Sequence, residues 1–220
     1  MSDLERVVEA LVGDAPLTLA HAEATLMRGD LRHDRAGDDH YDVVSALIKS
    51  MRGSDPDAAI YWLARMLAAG EDPMFVARRL VIFAAEDVGN ADPRGIAVAS
   101  ACMESVARIG MPEARILLAQ AVTWLACCPK SNAAYKAIDA ALDDVKRTGA
   151  LPVPAHLKSR PPPGAPAYLY PHDHPDHVVA QVYRPPEVAE KRYYQPVEHG
   201  EEKTIAARLA WWRQRLGGRR

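Results

Sequence analysis

His172, His174 and His177 form an H-x-H-x-x-H run, a spacing that could bring imidazole nitrogens onto a zinc ion. Pro171 and Pro175 interrupt any helix through the run, so the three rings need not converge. No cysteine lies nearby as a fourth ligand, and the plainer expectation is polar surface without metal. Glu86 and Asp87 end an apolar run, beside Asn90 and Asp92. A carboxylate pair can do acid–base work when one member is desolvated. No nucleophile or histidine stands near in sequence, so pairing with Arg78 or Arg79, or capping of the next helix, is the stronger expectation. Two basic clusters remain: Arg28, Arg32, His33 and Arg35, and then Lys203, Arg208, Arg213, Arg215, Arg219 and Arg220. Basic side chains release counterions from DNA, which makes Arg213, Arg215, Arg219 and Arg220 candidate phosphate contacts. Acids interleave both clusters, so a solvated face is the alternative.

No G-x-x-x-x-G-K-[ST] run occurs, and no glycine is followed by lysine. The backbone cradle that holds nucleotide phosphates is therefore not written in this chain. No catalytic, cofactor or metal residue is assigned. The net charge of −2 gives no global basic field, and 49% apolar residues over 220 positions suffice for a real core. Charges break every apolar run, so no membrane span is expected. Cys102, Cys127 and Cys128 show no CxxC spacing, sit in helical apolar runs and read as buried, reduced thiols of a cytosolic protein.

The elements that must position these residues are punctuated by glycine and proline. Gly53 and Pro56, Gly70 and Pro73, Gly89 and Pro93, and Gly110 and Pro112 each close one apolar run and open the next. Glycine tolerates the left-handed φ past a helix end, and proline suits the first helical position. Asp55, Asp72 and Asp92 precede three of the prolines as caps. The pattern predicts a stack of short antiparallel helices, with Gly53 at or near left-handed φ. Tyr41, Val44, Leu47, Ile48 and Met51 share one face of the helix before Gly53. Ser131 is expected to cap the helix after Pro129. The helix opened by Pro56 is apolar around most of its circumference. Tyr61, Trp62, Arg65 and Met66 on its second side are candidate interface anchors, with burial in the chain's own core as the alternative for Trp62. After Gly149 the composition changes to a proline- and tyrosine-rich stretch, too broken for long helices. It is expected to lie over the stack as an irregular strap, anchored by Tyr168, Tyr170, Tyr183, Tyr193 and Tyr194, and to be followed by a terminal helix. The fold class is all-α. The divisions are 1–38 (a remnant domain and linker), 39–150 (the helical domain) and 151–220 (the strap and terminal helix).

KSMRGSDPDAAIYWLARMLAAGEDPMFVARRLVIFAAEDVGNADP, CPKSNAAY, VPAHL, YLYPHD and PPEVAEKRYYQP carry a family resemblance. They are similar to the C-terminal half of the replication-associated recombination protein A family, AAA+ ATPases of the MgsA and Werner-helicase-interacting type, related to clamp loaders. The resemblance covers 34 to the C-terminus. It implies that 1–38 is the end of an AAA+ lid and that 39–150 is a collar-like oligomerisation domain forming a homotetramer. It further implies that ATP and Mg belong to an ATPase core preceding this chain. The parent protein would then bind DNA and single-strand DNA-binding protein at stalled forks, in the cytoplasm with the nucleoid. The turn at Lys130-Ser131-Asn132 becomes, by resemblance, an interface or DNA-facing turn, which adds Lys130 to the candidate DNA contacts. One departure is KSRPPPGAPA between Leu157 and Tyr168, where the family carries a short lysine-containing helix. An assembly module, a stand-alone DNA- or protein-binding adaptor and a histidine-based metalloenzyme are the three function classes to separate.

Overall fold

The computed structural model describes residues 38–216. Among them are seven α-helices and no strand: α1 (Asp38–Arg52), α2 (Pro56–Ala68), α3 (Pro73–Phe83), α4 (Arg94–Ile109), α5 (Ala114–Cys127), α6 (Ala133–Thr148) and α7 (Glu202–Leu216). The punctuation acts largely as the sequence predicts. Asp55 accepts from the Ala58 N–H at 2.9 Å and Asp72 from the Met74 N–H at 2.9 Å, with Pro56 and Pro73 in the first turns of α2 and α3. Asp92 accepts from the Arg94 N–H at 3.1 Å. After Pro112, α5 begins two residues later, at Ala114. Ser131 Oγ accepts from the Ala133 N–H at 3.2 Å, so it caps α6 although Asn132 is the boundary residue.

Gly53 departs from expectation. The left-handed residue is Ser54, at φ +60°. Gly53 still donates to Lys49 O at 2.8 Å, continuing α1 by one residue. Ser54 N–H then donates to Met51 O and Asp55 N–H to Ser50 O, at 3.1 and 3.0 Å. This pair of reversed bonds satisfies the last carbonyls and places the left-handed position one residue late. Gly70, at φ +77°, makes the same closure of α2 where expected.

Helix α5 is the centre of the stack and touches α1, α2, α3 and α4. Its Leu118, Ala121, Val122, Leu125 and Ala126 are buried among Leu47 and Met51 of α1, Leu63 of α2, Leu80 and Phe83 of α3 and Val106 of α4. Tyr41 stays exposed and leaves the α1 core face to Val43, Val44, Leu47 and Met51. After Phe83 the chain widens into a π turn, Ala84–Val88, and tightens into a 3-10 turn, Gly89–Ala91. Helix α6 packs chiefly on both turns, and α7 on the 3-10 turn. Between α6 and α7 the strap contains only short 3-10 turns.

The strap's anchors are fewer than the sequence predicts. Tyr168, Tyr170 and Tyr183 are exposed. Tyr193 donates to Asp144 Oδ2 of α6 at 3.0 Å, and Tyr194 donates to Glu202 Oε1 of α7 at 2.7 Å while accepting from Asn90 at 3.1 Å. Buried carboxylates hold these two hydroxyls, whereas the other three rings have no such partner to draw them in. At the same joint Gly200 has φ +52°, and a Cβ there would sit 2.1 Å from Ala91 O. Its neighbour Glu201 donates to that same Ala91 oxygen at 2.8 Å.

Candidate functional site

The four expected interface anchors divide between surface and core. Tyr61 is 61% exposed and meets the Trp62 ring edge-on, with centroids 5.1 Å apart. Trp62 is half-buried against the core, and the Arg65 guanidinium lies 5.6 Å from its ring centroid. Met66, in contrast, is 4% exposed and belongs to the core. The reason is geometric: α2 lies on one side of α5, so its Ala59–Leu63–Met66 stripe is consumed inside the chain.

A second surface is formed by α6. Tyr135, Ile138, Leu142 and Val145 are 45%, 55%, 48% and 59% exposed. Their steps of three, four and three residues put them on one helix face. The opposite side holds the chain's own contacts: Ala133 and Asp144 are the buried residues of α6. Sequence reasoning missed this face. Its signal was present, as an apolar stripe on a helix otherwise rich in Lys, Asp and Ala.

Helix α6 is held at its start by a polar joint. Arg52, the last residue of α1, grips Asp87 through Nε at 2.5 Å and Nη2 at 3.1 Å. Arg52, not Arg78 or Arg79, is therefore the partner of the Glu86–Asp87 pair; Arg78 pairs with Asp72 at 3.3 Å. The Asp87 carbonyl accepts from Ser131 N–H at 2.7 Å, and Ser131 caps α6. The Asp87 hydrogen bond holds Arg52 above its ordinary pKa. Nothing here frees a carboxylate for acid–base work, since the buried Asp87 is committed to a guanidinium. Asp92 is held below the ordinary carboxylate value by its hydrogen bond to Arg94, and Asp144 by Arg147, Tyr193 and Lys191.

The candidate DNA contacts are differently placed. Lys130 Nζ donates to Ala126 O at 2.8 Å, to Cys128 O and to Ser54 Oγ, closing the end of α5. Desolvation lowers its pKa. Arg213 donates to Tyr194 O at 3.3 Å, and Arg215 pairs with Asp176 at 2.5 Å while lying 4.3 Å from the Trp211 ring centroid. Arg219 and Arg220 lie outside the described residues, as does the cluster Arg28, Arg32, His33 and Arg35. In the strap, His172 and His177 approach to 4.8 Å between ring centroids. Among the described residues no three His, Cys, Asp or Glu side chains come together as a metal site. No described helix is long and apolar enough to cross a membrane.

Nucleotide does not fit these helix starts. The N-termini of α2, α3 and α4 would be the natural phosphate cradles. Asp55, Asp72 and Asp92 already occupy them with carboxylates.

Comparison with known proteins agrees with this architecture. Residues 53–213 match the family described as "MgsA AAA+ ATPase C terminal", and residues 1–52 match "AAA C-terminal domain". The chain is 53% identical over 193 residues to an uncharacterized AAA domain-containing protein of Mycobacterium tuberculosis, covering 85% of this chain and 43% of that protein. It is 47% identical over 187 residues to replication-associated recombination protein A of Escherichia coli, covering 82% of this chain and 42% of that one. The namesake from Bacillus subtilis is 42% identical over 198 residues, covering 87% and 47%. The chain thus spans less than half the length of these curated relatives. The match to one family over residues 53–213, well over half of the chain, places this chain in the MgsA-type AAA+ ATPase C-terminal family.

Proposed function

We propose that this chain is the assembly module of an AAA+ ATPase that acts in DNA replication, recombination and repair. The parent protein binds ATP and Mg in a separate core, engages DNA and single-strand DNA-binding protein at stalled forks, and works in the cytoplasm at the nucleoid. The collar-like division at 39–150, preceded by a lid remnant and followed by the strap, serves to hold four copies together. ATP turnover by this chain alone is expected to be absent.

The observation that carries the reading is the α6 stripe. Its spacing is palindromic about residue 140: 135 mirrors 145, and 138 mirrors 142. Under an antiparallel two-fold, Tyr135 meets Val145 and Ile138 meets Leu142, so the surface is self-complementary, as an isologous contact requires. A second copy of this chain is therefore the occupant the face fits. A two-fold tetramer needs another patch, and the exposed Tyr61 with Trp62 and Arg65 on α2 supplies it. Light scattering after size exclusion tests this: a tetramer that α6 substitutions dissociate supports assembly, and a folded single chain at all concentrations overturns it.

The stand-alone adaptor is the second reading. It is favoured by the concentration of basic and aromatic residues on α7, which do not belong to either patch.

A further inference from the structure

Helix α7 carries an unusual surface for a helix so lightly packed. From Lys203 to Leu216 it contains Lys203, Arg208, Arg213 and Arg215 and no acid. Trp211 and Trp212 are both 40% exposed. Arg208, Trp212, Arg215 and Trp211 follow one another at three- and four-residue steps, so arginines and indoles share one face. The other flank of α7 forms a cleft of about 620 Å³ with the end of the strap, lined by Arg184, Lys191, Arg192, Arg213, Leu209 and Leu216 among others. Arg184 is held in place by the carbonyls of Ala189 and Lys191, and its guanidinium lies 5.9 Å from the Tyr193 ring centroid. Among the described residues no carboxylate pairs with Arg184, Arg192, Arg208 or Arg213, whereas Lys191 is shared with Asp144 and Arg215 with Asp176. The cleft's own acid, Glu190, leaves a clear positive excess.

Unneutralised guanidiniums, with Arg184 and Arg213 fixed by backbone carbonyls, beside flat, half-exposed aromatic faces suit a chain of alternating anionic and planar groups. A lipid surface fits less well, because arginine and tryptophan share a face here instead of separating onto opposite sides. We propose that α7 and the 184–194 limb of the strap form a binding site for single-stranded nucleic acid. A base stacks on Trp212, Trp211 is braced by Arg215, and Arg184, Arg192, Arg208 and Arg213 take the phosphates. The site lies outside both assembly patches and does not depend on the assembly reading.

The test uses the full chain and a fluorescein-labelled oligothymidine of about 20 nucleotides, read by anisotropy between about 50 and 200 mM salt. Binding is expected to quench tryptophan fluorescence. Loss of one stacked base corresponds to a ~5- to ~150-fold fall in affinity for Trp212→Ala, with Trp212→Phe restoring most of it. Arg192→Glu with Arg208→Glu is expected to lower the salt slope by ~0.7 for each lost phosphate contact. Sedimentation velocity on the same variants keeps the assembly reading separate: their mass should equal that of the parent chain. The proposal is overturned if the oligonucleotide does not bind, if Trp212→Ala binds it as the parent does, or if an acidic peptide of equal length displaces it stoichiometrically from the same residues with higher affinity.

Discussion

Replacing Ile138 and Leu142 together by aspartate attacks the centre of the α6 face. Both side chains are about half exposed in the single chain, at 55% and 48%. Full burial of such a side chain stabilises by about 1.5–3 kcal/mol, so the half that remains to be covered is worth ~0.8–1.5 kcal/mol each. Under the two-fold, each residue occurs twice, giving a loss of ~3–6 kcal/mol per interface before any cost of confronting like charges. That is a rise of about two to four powers of ten in the dissociation constant. The same substitutions should leave the folded single chain intact, because exposed positions usually change stability by about 0.5 kcal/mol or less. Sedimentation velocity over a concentration series, with circular dichroism as the control, reads both quantities. Assembly should fall to half-size or to the single chain while helicity is kept. An unchanged mass would refute the α6 interface, and loss of helicity would show that the stripe serves the chain's own core.

Gly200→Ala should detach α7, because the new Cβ would meet Ala91 O at 2.1 Å and φ is +52°. A left-handed non-glycine residue alone costs about 1–3 kcal/mol, visible as a lower urea midpoint. In acid, Asp92 and Asp144 have folded-state pKa values lowered from 3.8 by Arg94 and by Arg147 with Tyr193. Their contribution to stability is fully present above that ordinary value and is lost as pH falls through the lowered ones. Asp144→Asn should therefore flatten the acid limb of the stability curve. Cys102 and Cys128 are buried as the sequence predicts, but Cys127, the last residue of α5, is exposed; thiol labelling at neutral pH should therefore reach Cys127 first and leave Cys128 unmodified, since burial pushes the Cys128 thiol up to about 11.

Much of the fold was legible because its signals are local. An aspartate before a proline caps a helix whatever packs above it, so Asp55 and Asp72 read correctly from sequence. The Gly53 error arose from two adjacent residues able to end α1, where only the hydrogen-bond closure decides between them. The site was harder to read because it depends on which faces stay uncovered. An apolar α2 was expected to need a partner, yet α5 covers its Met66 side. Helix α6 looked ordinary, yet its stripe is left open because the helix rests on the π and 3-10 turns through its other side. Arg52 and Asp87 are 35 residues apart, and no local spacing announces such a pair. Tyr193 and Tyr194 were two among five strap tyrosines until buried carboxylates singled them out.

The mass of the chain in solution tests the assembly reading most directly. Light scattering across a hundredfold dilution should give four times the 24.1 kDa of one chain at the concentrated end. The Ile138→Asp and Leu142→Asp variant should fail to reach that mass. A well-folded parent chain that stays at 24.1 kDa throughout would contradict assembly as its function.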